Sequence, residues 1–147
     1  MAETGVGPSA ALTLDQVTPG MTAELRRSFT LQDLQTFAQL APDRAPLHYD
    51  AAFAHGQGYR DVVVFGFLVA APFSGILGDR LPGSLTVLHW ARFAMALPVY
   101  VGEEILYRAE VKQVSRSTGA VVLELTAKRV QSSEIVLRGQ AQCGFRL

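Results

Sequence analysis

A short loop carries the two side chains best suited to acid–base chemistry, Asp43 and His48. It reads Pro42-Asp43-Arg44-Ala45-Pro46-Leu47-His48, and its prolines stiffen it because each fixes its own φ angle. The spacing allows both side chains to face one cavity, where a carboxylate and an imidazole exchange protons near neutral pH. The alternative is structural: an aspartate that bonds its own turn and a histidine that bonds a backbone carbonyl.

Other patterns that carry chemistry are weaker. The segment Pro72-Phe73-Ser74-Gly75 lacks the first glycine of the Gly-x-Ser-x-Gly sequence of serine hydrolases. Gly56-Gln57-Gly58 precedes no phosphate-binding lysine, which excludes a P-loop. No third ligand stands at a recognised metal-binding spacing from Asp43 and His48, so we predict no metal site.

The composition indicates one globular domain. A chain of 147 residues buries enough surface to fold without a disulfide or a metal, and 49% hydrophobic residues exclude intrinsic disorder. Thirteen basic residues balance thirteen acidic ones, so we expect neither nucleic acid nor a membrane surface as a partner. Cys143 is the single cysteine, and residues 1–10 lack the features of a signal peptide. We therefore expect a cytoplasmic protein.

One apolar run must form a buried element. Val62 to Leu77 contains a single polar residue, Ser74, and is shorter than the roughly 20 residues that span a bilayer. A helix that is apolar all round is buried on all sides. We therefore predict a central helix, ending near Gly78, that a sheet encloses.

Three segments near the C-terminus alternate apolar and polar side chains, which is typical of antiparallel strands with one exposed face. They span residues 105–112, 121–128 and 135–145, with hairpin loops at 117–119 and 131–133 and a further strand at 85–93. Upstream, Thr30 and Asp33 mark the start of a helix that Pro42 ends. We predict a loose N-terminal segment, 1–13, and one α+β domain, 14–147, with a long antiparallel sheet around the central helix.

The loop from Asp43 to His48 resembles the Asp-x-Asn-Pro-x-His motif of the MaoC-like dehydratases, the (R)-specific enoyl-CoA hydratases. The resemblance extends in order over the chain, from about Leu14 to Leu147. Residues 50–54 resemble Asp-Pro-x-Phe-Ala, residues 64–68 resemble Val-His-Gly-Met-Leu, residues 73–78 match closely, and residues 97–104 resemble Leu-Pro-Val-x-x-Gly-Asp-x.

The resemblance implies a hot-dog fold and the reversible hydration of a trans-2-enoyl thioester to an (R)-3-hydroxyacyl thioester, without a cofactor. Asp43 and His48 would hold the reacting water. The backbone N–H of Gly66, at the start of the central helix, would stabilise charge on the thioester oxygen. Ser74 would orient the pair, and Phe65 would lie near the thioester. The expected partners are an acyl-CoA or acyl carrier protein thioester and a second copy of the chain in a homodimer.

Three positions depart from the family pattern. Ala45 stands in place of the motif's asparagine, Phe65 in place of the histidine before Gly66, and Pro72 inside the predicted helix, where it should bend the helix. Two alternatives therefore remain open: a thioesterase on the same fold, or a non-catalytic acyl-thioester binding module. Of the three functions, the sequence favours the hydratase.

Overall fold

The structure, a computed structural model, describes residues 9–147, and its frame is one five-stranded antiparallel sheet. The strands are β1 (Thr22–Arg27), β2 (Thr86–Met95), β3 (Ile105–Val114), β4 (Ala120–Arg129) and β5 (Ile135–Phe145). Their order in the sheet is β1-β3-β4-β5-β2, so β1 and β2 form its two edges. The predicted strands and both predicted hairpin loops are confirmed.

Four short α-helices accompany the sheet: α1 (Leu31–Leu40), α2 (Ala51–Gly56), α3 (Gly66–Ala70) and α4 (Pro72–Gly75). Single turns of other helix types occupy Leu14–Gln16, Pro46–His48 and Ile76–Arg80. Helix α1 begins as predicted, because Thr30 accepts a hydrogen bond from the N–H of Asp33 and the Asp33 carboxylate accepts one from the N–H of Thr30.

The sheet wraps around the helical segment 66–80, which we call the central helix. Every second side chain of β3 and β4 points inward and is fully buried: Ile105, Tyr107, Ala109, Val111, Val121, Leu123, Leu125 and Ala127. They pack with Val69, Phe73 and Ile76 of the central helix in one hydrophobic core. This arrangement is the hot-dog fold that the resemblance implies.

The central helix differs from the prediction in its length and continuity. Residues 62–65 are not helical, and Val63 instead pairs with Tyr100 in an isolated β-bridge. The helix is also interrupted at Ala71, because Pro72 has no N–H to donate. The carbonyl of Leu68 accepts from Ala71 at 3.2 Å, and the carbonyl of Val69 accepts from the Tyr107 hydroxyl at 2.7 Å. Pro72 therefore interrupts the helix, and the Leu68 carbonyl, which Pro72 cannot serve, accepts from Ala71 instead.

Part of the predicted N-terminal segment, residues 1–8, lies outside the described residues. Ala10 and Ala11 contact the end of the central helix and the following turn: Ala10 N–H donates to Asp79 O at 2.8 Å, and Ala11 pairs with Gly83. Across residues 9–147, no helix is long and apolar enough to cross a membrane.

Candidate active site

The loop that carries Asp43 and His48 is rigid because its own backbone and side chains bond to one another. Asp43 Oδ1 accepts the N–H of Ala45 at 2.9 Å, and the Asp43 N–H donates to Ala38 O at the end of α1. Pro46 then opens a single helical turn, which ends at His48. Both features of the structural alternative are present: Asp43 bonds its own turn through one of its two carboxylate oxygens, and His48 bonds a backbone carbonyl, that of Val63.

The ring of His48 is held from two sides. Its Nδ1 lies 2.6 Å from the carbonyl oxygen of Val63, and because a carbonyl only accepts hydrogen bonds, Nδ1 must carry the proton. The neutral ring therefore has its lone pair at Nε2. The ring also stacks on Phe65, with 3.9 Å between the ring centroids and 25° between the planes. This geometry leaves His48 half-buried, with Nδ1 as the donor to Val63 and Nε2 as the acceptor nitrogen of the neutral ring.

Phe65 thus has a more specific place than the sequence predicted. Only 4% of it is exposed, between His48 and Phe37, whose ring centroid lies 5.0 Å away. It supports the imidazole and at the same time lines the cavity beside it. An aromatic ring stacked on the imidazole restricts its rotation, a role that the residue type alone did not indicate.

A cavity of about 510 Å³ opens beside His48. We call it the dyad-side cavity, after the predicted acid–base pair, or dyad, of Asp43 and His48. Its polar groups come from Gln35, His48, Tyr49 and Asp61, and the rest of its wall is apolar. The lining residues are Leu31, Leu34, Gln35, Ala38, His48, Tyr49, Ala51, Asp61, Val62, Phe65 and Val101. Asp43 is not among them, and across residues 9–147 no hydrogen bond joins Asp43 to His48.

The other two predicted site residues lie along the central helix. Gly66 is exposed as the first residue of α3, where N–H groups have no acceptor within the helix, and it lines a smaller cavity of about 270 Å³ with Met95. Ser74 is exposed on α4, beyond the break at Ala71. It does not line the dyad-side cavity, and across residues 9–147 no hydrogen bond joins it to Asp43 or His48.

Ser74 instead lines a cavity of about 410 Å³ between the central helix and strands β2 and β5, which we call the strand-side cavity. Its wall is apolar apart from the Ser74 and Thr86 hydroxyls and the Cys143 thiol. Burial raises the pKa of that thiol to about 11, against an opposing hydrogen bond with Thr86, so it is neutral at pH 7. The lining residues are Phe67, Ala70, Ala71, Phe73, Ser74, Leu77, Gly78, Thr86, Leu88, Ala91, Phe93 and Cys143.

Sequence reasoning missed most of this cavity and the carbonyl of Val63. One signal for the cavity was present, since Ala70, Ser74 and Gly78 are small residues four apart on one helix face. No comparable signal exists for the Val63 carbonyl, because every residue has one. No group of three metal-ligating side chains lies together in residues 9–147.

The chain matches the family described as "MaoC like domain" over residues 15–133. It is 33% identical over 122 residues to the (R)-specific enoyl-CoA hydratase of Aeromonas caviae, a match that covers 83% of this chain and 90% of the relative. It is 30% identical over 123 residues to the mitochondrial 3-hydroxyacyl-[acyl-carrier-protein] dehydratase FERN of Solanum lycopersicum, covering 83% of this chain and 73% of that one.

Solved structures resemble this fold closely. The (R)-hydratase from A. caviae involved in PHA biosynthesis superimposes with a TM-score of 0.83 at 30% identity, covering 88% of this chain and 98% of that chain. The unliganded R-hydratase PhaJ1 from Pseudomonas aeruginosa gives a TM-score of 0.82 at 26% identity, with 90% and 84% covered. The hot-dog fold expected from the sequence is therefore confirmed.

Proposed function

The chain belongs to the MaoC-like dehydratase family, and on that premise we propose that it hydrates trans-2-enoyl thioesters reversibly to (R)-3-hydroxyacyl thioesters. This makes it a hydro-lyase that works without a cofactor, with Asp43 and His48 as its acid–base pair. The observation that carries the proposal is the hydrogen bond from His48 Nδ1 to the carbonyl of Val63, because it leaves Nε2 as a base beside a cavity.

In the proposed reaction, water lies between His48 Nε2 and the free oxygen of Asp43. One member of the pair takes a proton from the water as its oxygen bonds to the β-carbon of the enoyl group. The pair returns one proton to the α-carbon, so neither residue changes its charge over a full cycle. The lone pair at Nε2 supports His48 as the group that accepts the water proton.

Charge develops on the thioester oxygen during this addition. The N–H of Gly66 is the proposed donor to that oxygen, since removal of one such donor in other enzymes costs about 3 to 4 kcal/mol of transition-state stabilisation. Helix α3 is only five residues long before the break at Ala71, so the direct hydrogen bond contributes more here than the helix dipole.

The strand-side cavity is the proposed place for the acyl chain. It is large and apolar, and Ser74 at its wall supplies one of its few hydroxyls. The apolar acyl group would then contact residues between the central helix and β2, whereas Phe65 supports His48. The relatives differ in the carrier that their names give, CoA or acyl carrier protein, and either thioester is a candidate substrate here.

A homodimer through the edge strand β2 is the proposed assembly. Among residues 9–147, strand β2 has one unpaired edge and exposes Val87, Leu88 and Met95. Phe67 of α3 lines the strand-side cavity nearby and is 80% exposed. Unpaired edges with exposed apolar side chains favour pairing with another strand. A second copy at this edge would also cover the two cavities that β2 residues line.

Light scattering at micromolar concentration tests the dimer. Phe67→Asp should shift the protein toward the monomer by placing a charge in the proposed interface. Leu40→Asp is the matched control, because Leu40 is equally exposed (79%) but lies at the end of α1. A wild-type protein that is monomeric and fully active would contradict the proposed assembly.

The decisive experiment for the reaction is a panel of trans-2-enoyl-CoA thioesters of rising chain length, followed by loss of the conjugated enoyl absorbance. Chiral analysis of the product should give the (R)-alcohol. Release of free thiol is measured in the same samples, because only a thioesterase produces it. Thiol release without hydration would reject the proposed function.

A non-catalytic acyl-thioester binding module is the second candidate. It is favoured by the Asp43 side chain, which bonds Ala45 and stands outside the lining of the dyad-side cavity. Tight binding of an acyl thioester with no turnover on any chain length would support this function over the hydratase.

A further inference from the structure

The carboxylate of Glu103 is held unusually firmly for a residue in a turn. Its Oε1 accepts from Arg60 Nη2 at 2.7 Å and from Arg129 Nε at 3.1 Å, and its Oε2 accepts the backbone N–H of Tyr100 at 2.9 Å. The side chains of Glu103 and Arg129 are only 19% and 15% exposed, so water screens their interaction only in part. Charge-assisted hydrogen bonds of this kind are among the stronger ones in proteins.

These bonds fix the turn between Tyr100 and Glu103. The N–H of Glu103 donates back to Tyr100 O at 3.2 Å, and the N–H of Gly102 donates to Phe29 O at 3.0 Å. The guanidinium of Arg60 also stacks over the Tyr100 ring, 4.2 Å from its centroid. Glu103 therefore holds the backbone of Tyr100, and Arg60 holds its side chain.

The same backbone places the carbonyl that bonds His48. Tyr100 pairs with Val63 in the isolated β-bridge, and the N–H of Val64 donates to Val99 O at 2.8 Å. Val63 in turn donates its N–H to Leu47 O at 3.1 Å and accepts from His48 Nδ1 at 2.6 Å. The segment around Val63 thus lies between the turn that Glu103 closes and the loop that carries His48.

We infer that Glu103 is a positioning residue for His48: it holds Tyr100 and Val63 so that the Val63 carbonyl keeps the His48 proton on Nδ1. This inference rests on the proposed function, since it assigns a purpose to the Nε2 lone pair. If the turn relaxes, the Val63 carbonyl moves away from Nδ1. The hydrogen bond that favours the tautomer protonated on Nδ1 is then lost.

The first test reads the tautomer directly. Glu103→Gln keeps the shape but has one acceptor oxygen instead of two, so it cannot satisfy both arginines and the N–H of Tyr100. The ¹⁵N spectrum of the histidine rings is simple because the chain has three histidines, and His48→Gln identifies the His48 signals. Wild type should show His48 protonated on Nδ1, and Glu103→Gln should show a larger fraction protonated on Nε2.

Glu134→Gln is the matched control. Glu134 pairs with the same Arg129, at 3.2 Å from Nη1, but it is half exposed and makes no bond to Tyr100. The Glu134→Gln variant removes one negative charge beside the same arginine, and its His48 signals should match those of wild type. Glu103→Asp keeps the carboxylate and should restore part of the wild-type tautomer.

Kinetics provide the second readout. Glu103→Gln should lower kcat by about 10- to 100-fold, since a displacement of about 1 Å can cost a hundredfold, while KM changes by no more than about twofold. Unchanged His48 signals in folded Glu103→Gln would overturn the inference. Should that variant not fold, Arg60→Met decides in its place, because Arg60 is largely exposed and contacts both Glu103 and Tyr100; wild-type His48 signals there overturn the inference as well.

The spectrum also separates this inference from the proposed function. If wild type hydrates no enoyl thioester, the proposed function fails, and the dependence of the His48 tautomer on Glu103 is still measured. If wild type is active but Glu103→Gln retains both its His48 signals and its kcat, only the positioning role fails.

Discussion

The dyad-side cavity and the strand-side cavity share no lining residue, and they are held in different ways. The groups around His48 are held by directed hydrogen bonds: the N–H of Ala45 donates to Asp43, and His48 Nδ1 donates to the carbonyl of Val63. The wall of the strand-side cavity depends on apolar side chains that pack between the central helix and β2. Directed bonds fix the orientation of a reactive group, whereas packing fixes only shape and volume. Substitutions beside His48 and substitutions in the strand-side cavity should therefore impair different properties of the protein.

The largest effect is expected at the acid–base pair. His48→Gln and Asp43→Asn keep the shape of the side chains but cannot pass protons, so hydration should fall by about 10²- to 10⁴-fold. The amide oxygen that Asp43→Asn introduces still accepts the N–H of Ala45, so the unfolding free energy should change by no more than about 0.5 kcal/mol. Steady-state kinetics and denaturant unfolding measure both quantities. A near wild-type kcat for Asp43→Asn would show that Asp43 stabilises the turn and takes no part in proton transfer.

A core substitution in the sheet should show the opposite pattern. Leu125 of β4 is fully buried, so Leu125→Ala should lower the unfolding free energy by about 2 to 5 kcal/mol. The fraction that stays folded should hydrate substrate with a wild-type kcat. Lys128→Ala, at an exposed position of the same strand, serves as the control and should change stability by about 0.5 kcal/mol or less.

A smaller effect should appear in substrate preference. Ala91→Ile adds volume inside the strand-side cavity and should lower kcat/KM for medium chains about tenfold relative to short ones, since one methylene is worth about 1 to 3 kcal/mol in an apolar pocket. Ala38→Ile is the matched change in the dyad-side cavity and should leave this ratio unchanged. Equal loss for all chain lengths in Ala91→Ile would place the acyl chain elsewhere.

Reversing the departures at Ala45 and Phe65 also tests the ratio of kcat/KM for medium and short chains, this time beside His48. Ala45→Asn with Phe65→His restores the family pattern and should move preference toward short chains. Because Phe65 stacks on His48, the double variant should also alter kcat for every chain length. Wild type that is inert on all chains while this variant turns over would favour the binding module.

The smallest effect is expected at high pH. Burial raises the pKa of Cys143 to about 11 from an ordinary value of 9.0, and it raises the pKa of Tyr107 well above its usual range, against the charge of Arg27. For both groups the folded pKa exceeds the unfolded one, so each contribution is complete below the unfolded pKa and is lost as the pH rises above it. For Cys143 this loss runs from about pH 9 to about pH 11, whereas for Tyr107 it begins at higher pH. Denaturant unfolding from pH 8 to 11 should show a decline that Cys143→Ala makes shallower; an unchanged slope in that variant would contradict it.

Much of the fold followed from local patterns. The period-two alternation of residues 105–145 predicted strands β3 to β5 and their buried faces, because side chains alternate across a strand wherever it pairs. Thr30 and Asp33 predicted the start of α1, since a capping box is complete within four residues. The loop of Asp43 and His48 was likewise found from its own residues.

The tertiary structure alone decided the features that join distant parts of the chain. The proton on His48 Nδ1 depends on a carbonyl 15 residues away, and that carbonyl depends on Tyr100 and Glu103 farther still. Every backbone unit has a carbonyl, so no residue type marks Val63 for this role. Likewise no local pattern predicted that the Tyr107 hydroxyl of β3 donates to the Val69 carbonyl in the central helix, because the two residues meet only in the folded protein. A periodicity of two or four residues can be recognised from side chains that are close in the sequence. The direction of one hydrogen bond is instead set by segments that meet only after folding.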